Sequence, residues 1–113
     1  MKIITNFKSK YYTGDTGFIA NAYINGNLAI VAVVPEPTEE GSYLFRPSVN
    51  LDGYAPDPKH DEFWFKTWAE NEGLLEALLD VGFITEVGQK VTAGYGTAVL
   101  VKLTPEWKEE LLS

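Results

Sequence analysis

Three features of the sequence predict an α+β domain, an antiparallel sheet with helices packed on one face. An Asn25-Gly26 pair separates two segments rich in apolar residues, the mark of a β-hairpin. Two segments around Trp64–Ala69 and Leu74–Leu79 place apolar residues at helical spacing. Extended stretches and a short terminal helix follow. Strands and helices gathered in blocks, not strictly alternating, are the pattern of this class. A length of 113 residues suits a single domain spanning 1–113. It buries roughly two-thirds of the surface of its unfolded chain, enough for a core without staples.

The elements follow in order. Lys2 to Asn6 fits an optional first strand. Phe18 to Val34 reads as a hairpin turning at Asn25-Gly26, both residues tolerating positive φ in a type I′ turn. Its second strand is apolar on both faces and so central and covered. Pro35 to Gly41 is a loop, since two prolines withhold ladder donors. Ser42 to Leu51 resumes as a strand with Tyr43, Phe45, Val49 and Leu51 on one face, and Pro47 marks an edge or bulge. Asp52 to Pro58 is a turn-rich link.

Asp57 then caps a helix beginning at Pro58 and carrying Trp64, Phe65, Trp68 and Ala69 on its apolar side. Asn71-Glu72-Gly73 breaks it. A second helix shows Leu74, Leu75, Leu78 and Leu79 as its stripe and ends at Gly82 in the left-handed conformation. Gly88-Gln89 reads as a turn, Gln89 to Ala93 and Thr97 to Leu103 as strands joined through Gly94-Tyr95-Gly96. Thr104, Pro105 and Glu106 open a last helix. The order is β-β-β-α-α-β-β-α, and Leu78, Leu79, Trp68 and Val99 are expected in one core.

Composition narrows the function classes. The chain has no cysteine, which removes disulfides and thiolate metal sites. Its start lacks the apolar run of a signal peptide, and its longest apolar run is too short to span a bilayer. A soluble, cytoplasmic protein with no membrane partner is expected. The net charge of −7, from 16 acidic and 9 basic side chains, argues against direct nucleic-acid binding, which needs clustered Lys and Arg. The same charge either keeps the surface solvated or meets a basic partner.

No motif identifies a reaction or a cofactor. His60, the single histidine, has no cysteine and no positioned nucleophile beside it, so it reads as a surface residue. Asp52, Asp57 and Asp61 lack the alternate spacing and closing glutamate of a calcium loop, and no metal is expected. Gly94-Tyr95-Gly96 lacks the third glycine and following helix of a nucleotide loop. Glu39-Glu40 and Glu109-Glu110 read as solvated pairs. The aromatics Phe63, Trp64, Phe65 and Trp68 read mostly as core, with Phe63 partly exposed.

The segment Thr67 to Trp107 resembles an uncharacterised domain family of small phage and mobile-element proteins. The resembling features are Glu70-Asn-Glu-Gly-Leu-Leu75, the helix ending at Gly82, the Thr/Gly-rich extended segments and the strand closing in Leu103-Thr104. Gly26 to Val34 and Ser48 to Pro56 fit the same family. The resemblance implies a mobile-element origin and a protein that blocks host machinery, such as an anti-defence or anti-CRISPR factor. On this reading the chain is a non-enzymatic acidic binding protein. Its partner is a host protein with a basic nucleic-acid-binding surface, as in a CRISPR-Cas complex. Glu36, Glu39 and Glu40 are the first candidate contacts, and Asp52, Asp57 and Asp61 the second. A different class of function is a small-molecule-binding domain with a pocket lined by Tyr43, Trp64 and Tyr95. No residue set makes the case for an enzyme.

Overall fold

The computed structural model describes residues 2–38, 41–94 and 96–112, with side chains for all of these except 36–38, 41, 42 and 93. The elements are β1 (Lys2–Lys8), β2 (Thr13–Ala22), β3 (Leu28–Thr38), β4 (Gly41–Phe45), β5 (Ser48–Val49), β6 (Glu62–Lys66), a 3-10 turn (Ala69–Asn71), α1 (Leu74–Asp80), β7 (Ile84–Ala93), β8 (Gly96–Leu103) and α2 (Pro105–Leu112). The α+β class stands. In place of the one sheet expected, the strands form two antiparallel four-stranded sheets, ordered β1-β2-β3-β4 and β5-β6-β8-β7. One buried cluster takes Phe18, Ile30 and Phe45 from the first sheet, Phe63, Phe65 and Val101 from the second, and Leu78 and Trp107 from the helices. That shared core makes the chain one domain.

The β2–β3 hairpin forms where expected, with a different turn. Tyr23 N–H donates to the Asn27 carbonyl at 2.9 Å and Gly26 N–H to that of Tyr23 at 2.8 Å. Gly26 takes a φ of 89°, while Asn25 is not among the residues with positive φ. This is a three-residue loop closed by a glycine bulge, and it needs only one left-handed residue instead of two. The expected proline loop also shrinks, because β3 runs on to Thr38 and pairs it with Gly41. Pro35 and Pro37 lie beyond Val33, where pairing with β2 stops, and within the register shift between the Val33–Tyr43 and Thr38–Gly41 pairs on the β4 side, where a missing donor is tolerated.

Pro47 divides the strand expected over residues 42–51. β4 closes one edge of the first sheet and β5 one edge of the second, so the chain changes sheets at Arg46-Pro47. Ser48 secures the crossing. Its buried Oγ accepts from Ile30 N–H at 2.9 Å and bonds the Tyr23 hydroxyl at the same distance. Ser48→Ala should therefore cost about 1–3 kcal/mol, the desolvation of a buried donor left unpaired. Urea denaturation would measure it, and a loss below ~0.5 kcal/mol, typical of surface sites, would count against this role.

The largest correction concerns the aromatic segment. It is strand β6, paired with β8 through Phe63–Val101, Trp64–Leu100 and Phe65–Val99, and not a helix. Phe63 and Phe65 enter the main core, and Phe63 is fully buried. Trp64 turns to the opposite face, against Leu51, Ala98, Leu100 and the half-buried Trp68. Trp68 lies beyond the end of β6, so its spacing of four from Trp64 is not a helical turn. The apolar side chains on both faces mark a covered strand. Asp57 accordingly caps no helix, and residues 56–59 have no regular secondary structure.

Downstream the expectations hold better. Gly82 has a φ of 75°. Its N–H donates to the Leu79 carbonyl at 3.1 Å, and Phe83 N–H donates to that of Leu78 at 3.0 Å. These are the two bonds of a Schellman cap, and the buried Phe83 and Leu78 supply its apolar contact. Leu78 and Val99 share the main core, whereas Trp68 belongs to the second cluster. α2 starts at Pro105, but the Thr104 hydroxyl donates to the Gly82 carbonyl at 2.7 Å. It ties the two helices together instead of capping its own. The turn expected at Gly88-Gln89 is a bulge within one continuous β7.

Candidate protein-binding surface

The six candidate carboxylates separate into three groups. Glu36 lies in β3, but its side chain falls outside the described set, as do Glu39 and Glu40 entirely. Asp61 lies apart from the other two aspartates in an ion pair, its Oδ2 3.5 Å from Lys108 Nζ on α2. Asp52 and Asp57 are brought together. They flank a shallow hollow of about 590 Å³ lined by Asp52, Gly53, Tyr54, Ala55, Pro56 and Asp57.

The loop that forms this hollow is held at three points. Tyr54 and Ala55 N–H both donate to the Leu51 carbonyl, at 2.9 and 3.2 Å, with Leu51 buried. Trp64 Nε1–H donates to the Pro56 carbonyl at 3.1 Å. The indole thus anchors the loop from below while its ring fills the second cluster. Tyr54 projects outward, 83% exposed between the two carboxylates in sequence. On a pinned loop the backbone that carries the tyrosine has little conformational freedom left to lose on binding.

The hairpin tip adjoins this loop. Asn50 Oδ1 accepts from Asn25 Nδ2 and Asn27 Nδ2, both at 3.3 Å, and Asn25 Oδ1 accepts from Asn27 N–H at 3.2 Å. The amide group fastens the tip beside the start of the Asp52–Asp57 loop and leaves Ile24 fully exposed at its apex. Sequence reasoning missed both Ile24 and Tyr54. A lone apolar residue in a turn is a usable signal, but only when the turn is known to be rigid.

The remaining candidates have structural accounts. Tyr43 is 59% exposed on the first sheet, Trp64 is buried in the second, and Tyr95 lies outside the described residues. Gly96 leaves room for Trp68, since a Cβ there would stand 2.9 Å from the indole. His60 is exposed beside Pro105 and Lys108. Among the described residues no group of three or more His, Asp or Glu is arranged to hold a metal, and no helix is long and apolar enough to cross a membrane. Elsewhere on the surface, the hydrogen bond from Lys10 holds the Glu72 carboxyl below its usual pKa, and that bond raises Lys10 in turn. The Lys66 hydrogen bond lowers Glu70 in the same way.

Comparison of the chain with protein-family models, with curated proteins and with solved structures gives no match.

Proposed function

We propose that the chain is a non-enzymatic binding protein that docks through the Asp52–Asp57 loop and the adjoining hairpin tip onto a basic, nucleic-acid-handling host protein. One observation carries this reading: two carboxylates and the exposed Tyr54 share a single loop pinned by Leu51 and Trp64. Tyrosine is enriched at binding hot spots, and flanking carboxylates favour a cationic partner. The net charge of −7 works in the same direction by steering the encounter. The resemblance to phage and mobile-element proteins supports a defence complex of the CRISPR-Cas kind as the partner. Asp61, tied to Lys108, is left out of the contact.

Affinity capture from host lysate, with and without competing nucleic acid, followed by titration of the purified partner, tests the proposal. Tyr54→Ala should weaken binding at least tenfold, as hot-spot truncations do. Asp52→Asn with Asp57→Asn should slow association and flatten its salt dependence. Glu36, Glu39 and Glu40 changed together to Gln form a separate arm, which decides whether that segment joins the contact. A partner whose binding ignores the Tyr54 and Asp52/Asp57 variants, or is not displaced by nucleic acid, would sink the reading.

A further inference from the structure

We infer that β7 is a self-pairing edge, on which two copies of the chain join antiparallel about a two-fold axis through Gly88. The second sheet ends on this strand, and among the described residues no strand lies beside its backbone groups on the side away from β8. β7 spans 10 residues, whereas β5, at the sheet's other edge, spans 2. Residues 85–90 are exposed throughout, including Val87 at 37%. Such an edge is a template for a further strand.

Charge selects a second copy as that strand. Pairing about Gly88 sets each residue opposite the one equally far on its other side, so Glu86 faces the second copy's lysine at position 90, and Lys90 faces its glutamate at 86. Two-fold symmetry makes the contact twice over. Neither side chain makes an ion pair within the chain among the described residues. Thr85 meets Val91 on either side of these pairs, a combination that suits a β-ladder. The bulge between Glu86 and Lys90 leaves two regular segments, 84–86 and 90–92, and each lies opposite the other in the pair. Gly88 at the axis has no side chain to obstruct the approach.

Light scattering and sedimentation of the full chain across a concentration series test this. The wild type should dimerise. Glu86→Lys alone, or Lys90→Glu alone, sets like charges opposite each other twice and should weaken dimerisation about tenfold or more. Mixing the two single variants should restore a heterodimer, and so should both changes in one chain as a homodimer. Far-ultraviolet circular dichroism spectra matching the wild type would confirm that these exposed changes leave the fold intact, whereas loss of the dimer by itself lowers the melting temperature through mass action. A wild type that is monomeric at every concentration would make the bulge an edge guard and overturn the inference. A dimer indifferent to the charge changes, or one that mixing fails to restore, would overturn it too.

Discussion

Phe18→Ala should cost about 3–5 kcal/mol, a large part of the roughly 5–15 kcal/mol that stabilises a domain. The side chain is fully buried and meets four aromatic rings: Phe7 at 6.0 Å, Phe45 at 6.3 Å, Phe83 at 4.7 Å and Trp107 at 5.7 Å between centroids. Phe7 and Phe45 belong to the first sheet, Phe83 follows α1, and Trp107 lies on α2, where it stacks on Phe83 at 4.2 Å. Removing Phe18 therefore opens a void where the first sheet meets both helical segments. Rigid backbone on all sides limits collapse into it. Tyr43→Ala, on the outer face of the same sheet, should stay within about 0.5 kcal/mol. Urea titration of both variants checks the contrast. A Phe18→Ala loss no larger than that of Tyr43→Ala would mean the first sheet and the helices do not share a core. A double-mutant cycle with Phe83→Ala should also show coupling of about 0.5–1.5 kcal/mol between the rings.

The elements legible in the sequence are those whose signal is local. Gly82 ends α1 because one backbone conformation is needed there, and Pro105 opens α2 because a first helical position needs no N–H donor. The hairpin announced itself through Asn25-Gly26, although its loop has three residues and a single left-handed glycine. What was illegible depended on distant partners. Phe63 to Lys66 is strand because β8 lies beside it and apolar groups cover both its faces. Nothing within those residues separates that arrangement from a buried helix. The division at Pro47 was visible as an interruption, but only the pairing of β5 with β6 shows that the chain crosses to another sheet there. The candidate site divides in the same way. Asp52 and Asp57 are close in sequence and share a hollow, whereas Asp61, four residues on, is claimed by Lys108 from α2. Tyr54 and Ile24 became candidates only once their loops were seen to be pinned.

Asn71→Asp should destabilise the fold by about 3–5 kcal/mol at neutral pH, and acid should relieve part of the loss. Asn71 is fully buried in the 3-10 turn, and its Nδ2 donates to the carbonyls of Arg46 at 2.8 Å and Lys66 at 2.9 Å. These carbonyls lie at the sheet crossing and at the end of β6, where Lys66 N–H also donates to the Pro47 carbonyl at 2.8 Å. One amide thus joins the two segments that set the second sheet against the first. A carboxylate would turn an acceptor toward two acceptors and bury a charge without a donor. Its Oδ1 position adds no relief, since that atom is buried with no partner among the described residues. Protonated, the new side chain donates to one of the two carbonyls. Its folded pKa is therefore raised above the unfolded value of about 3.9. With the pKa raised on folding, the regained stability is fully present below that unfolded value and is lost as pH rises through the folded pKa. The gap between Asn71→Asp and wild type should consequently narrow as pH falls from 7 towards 4. Asn71→Ala carries no titrating group, so its gap from wild type should not change with pH. Parallel pH dependence in the two variants would mean that the Asn71 amide does not point its donors at Arg46 and Lys66.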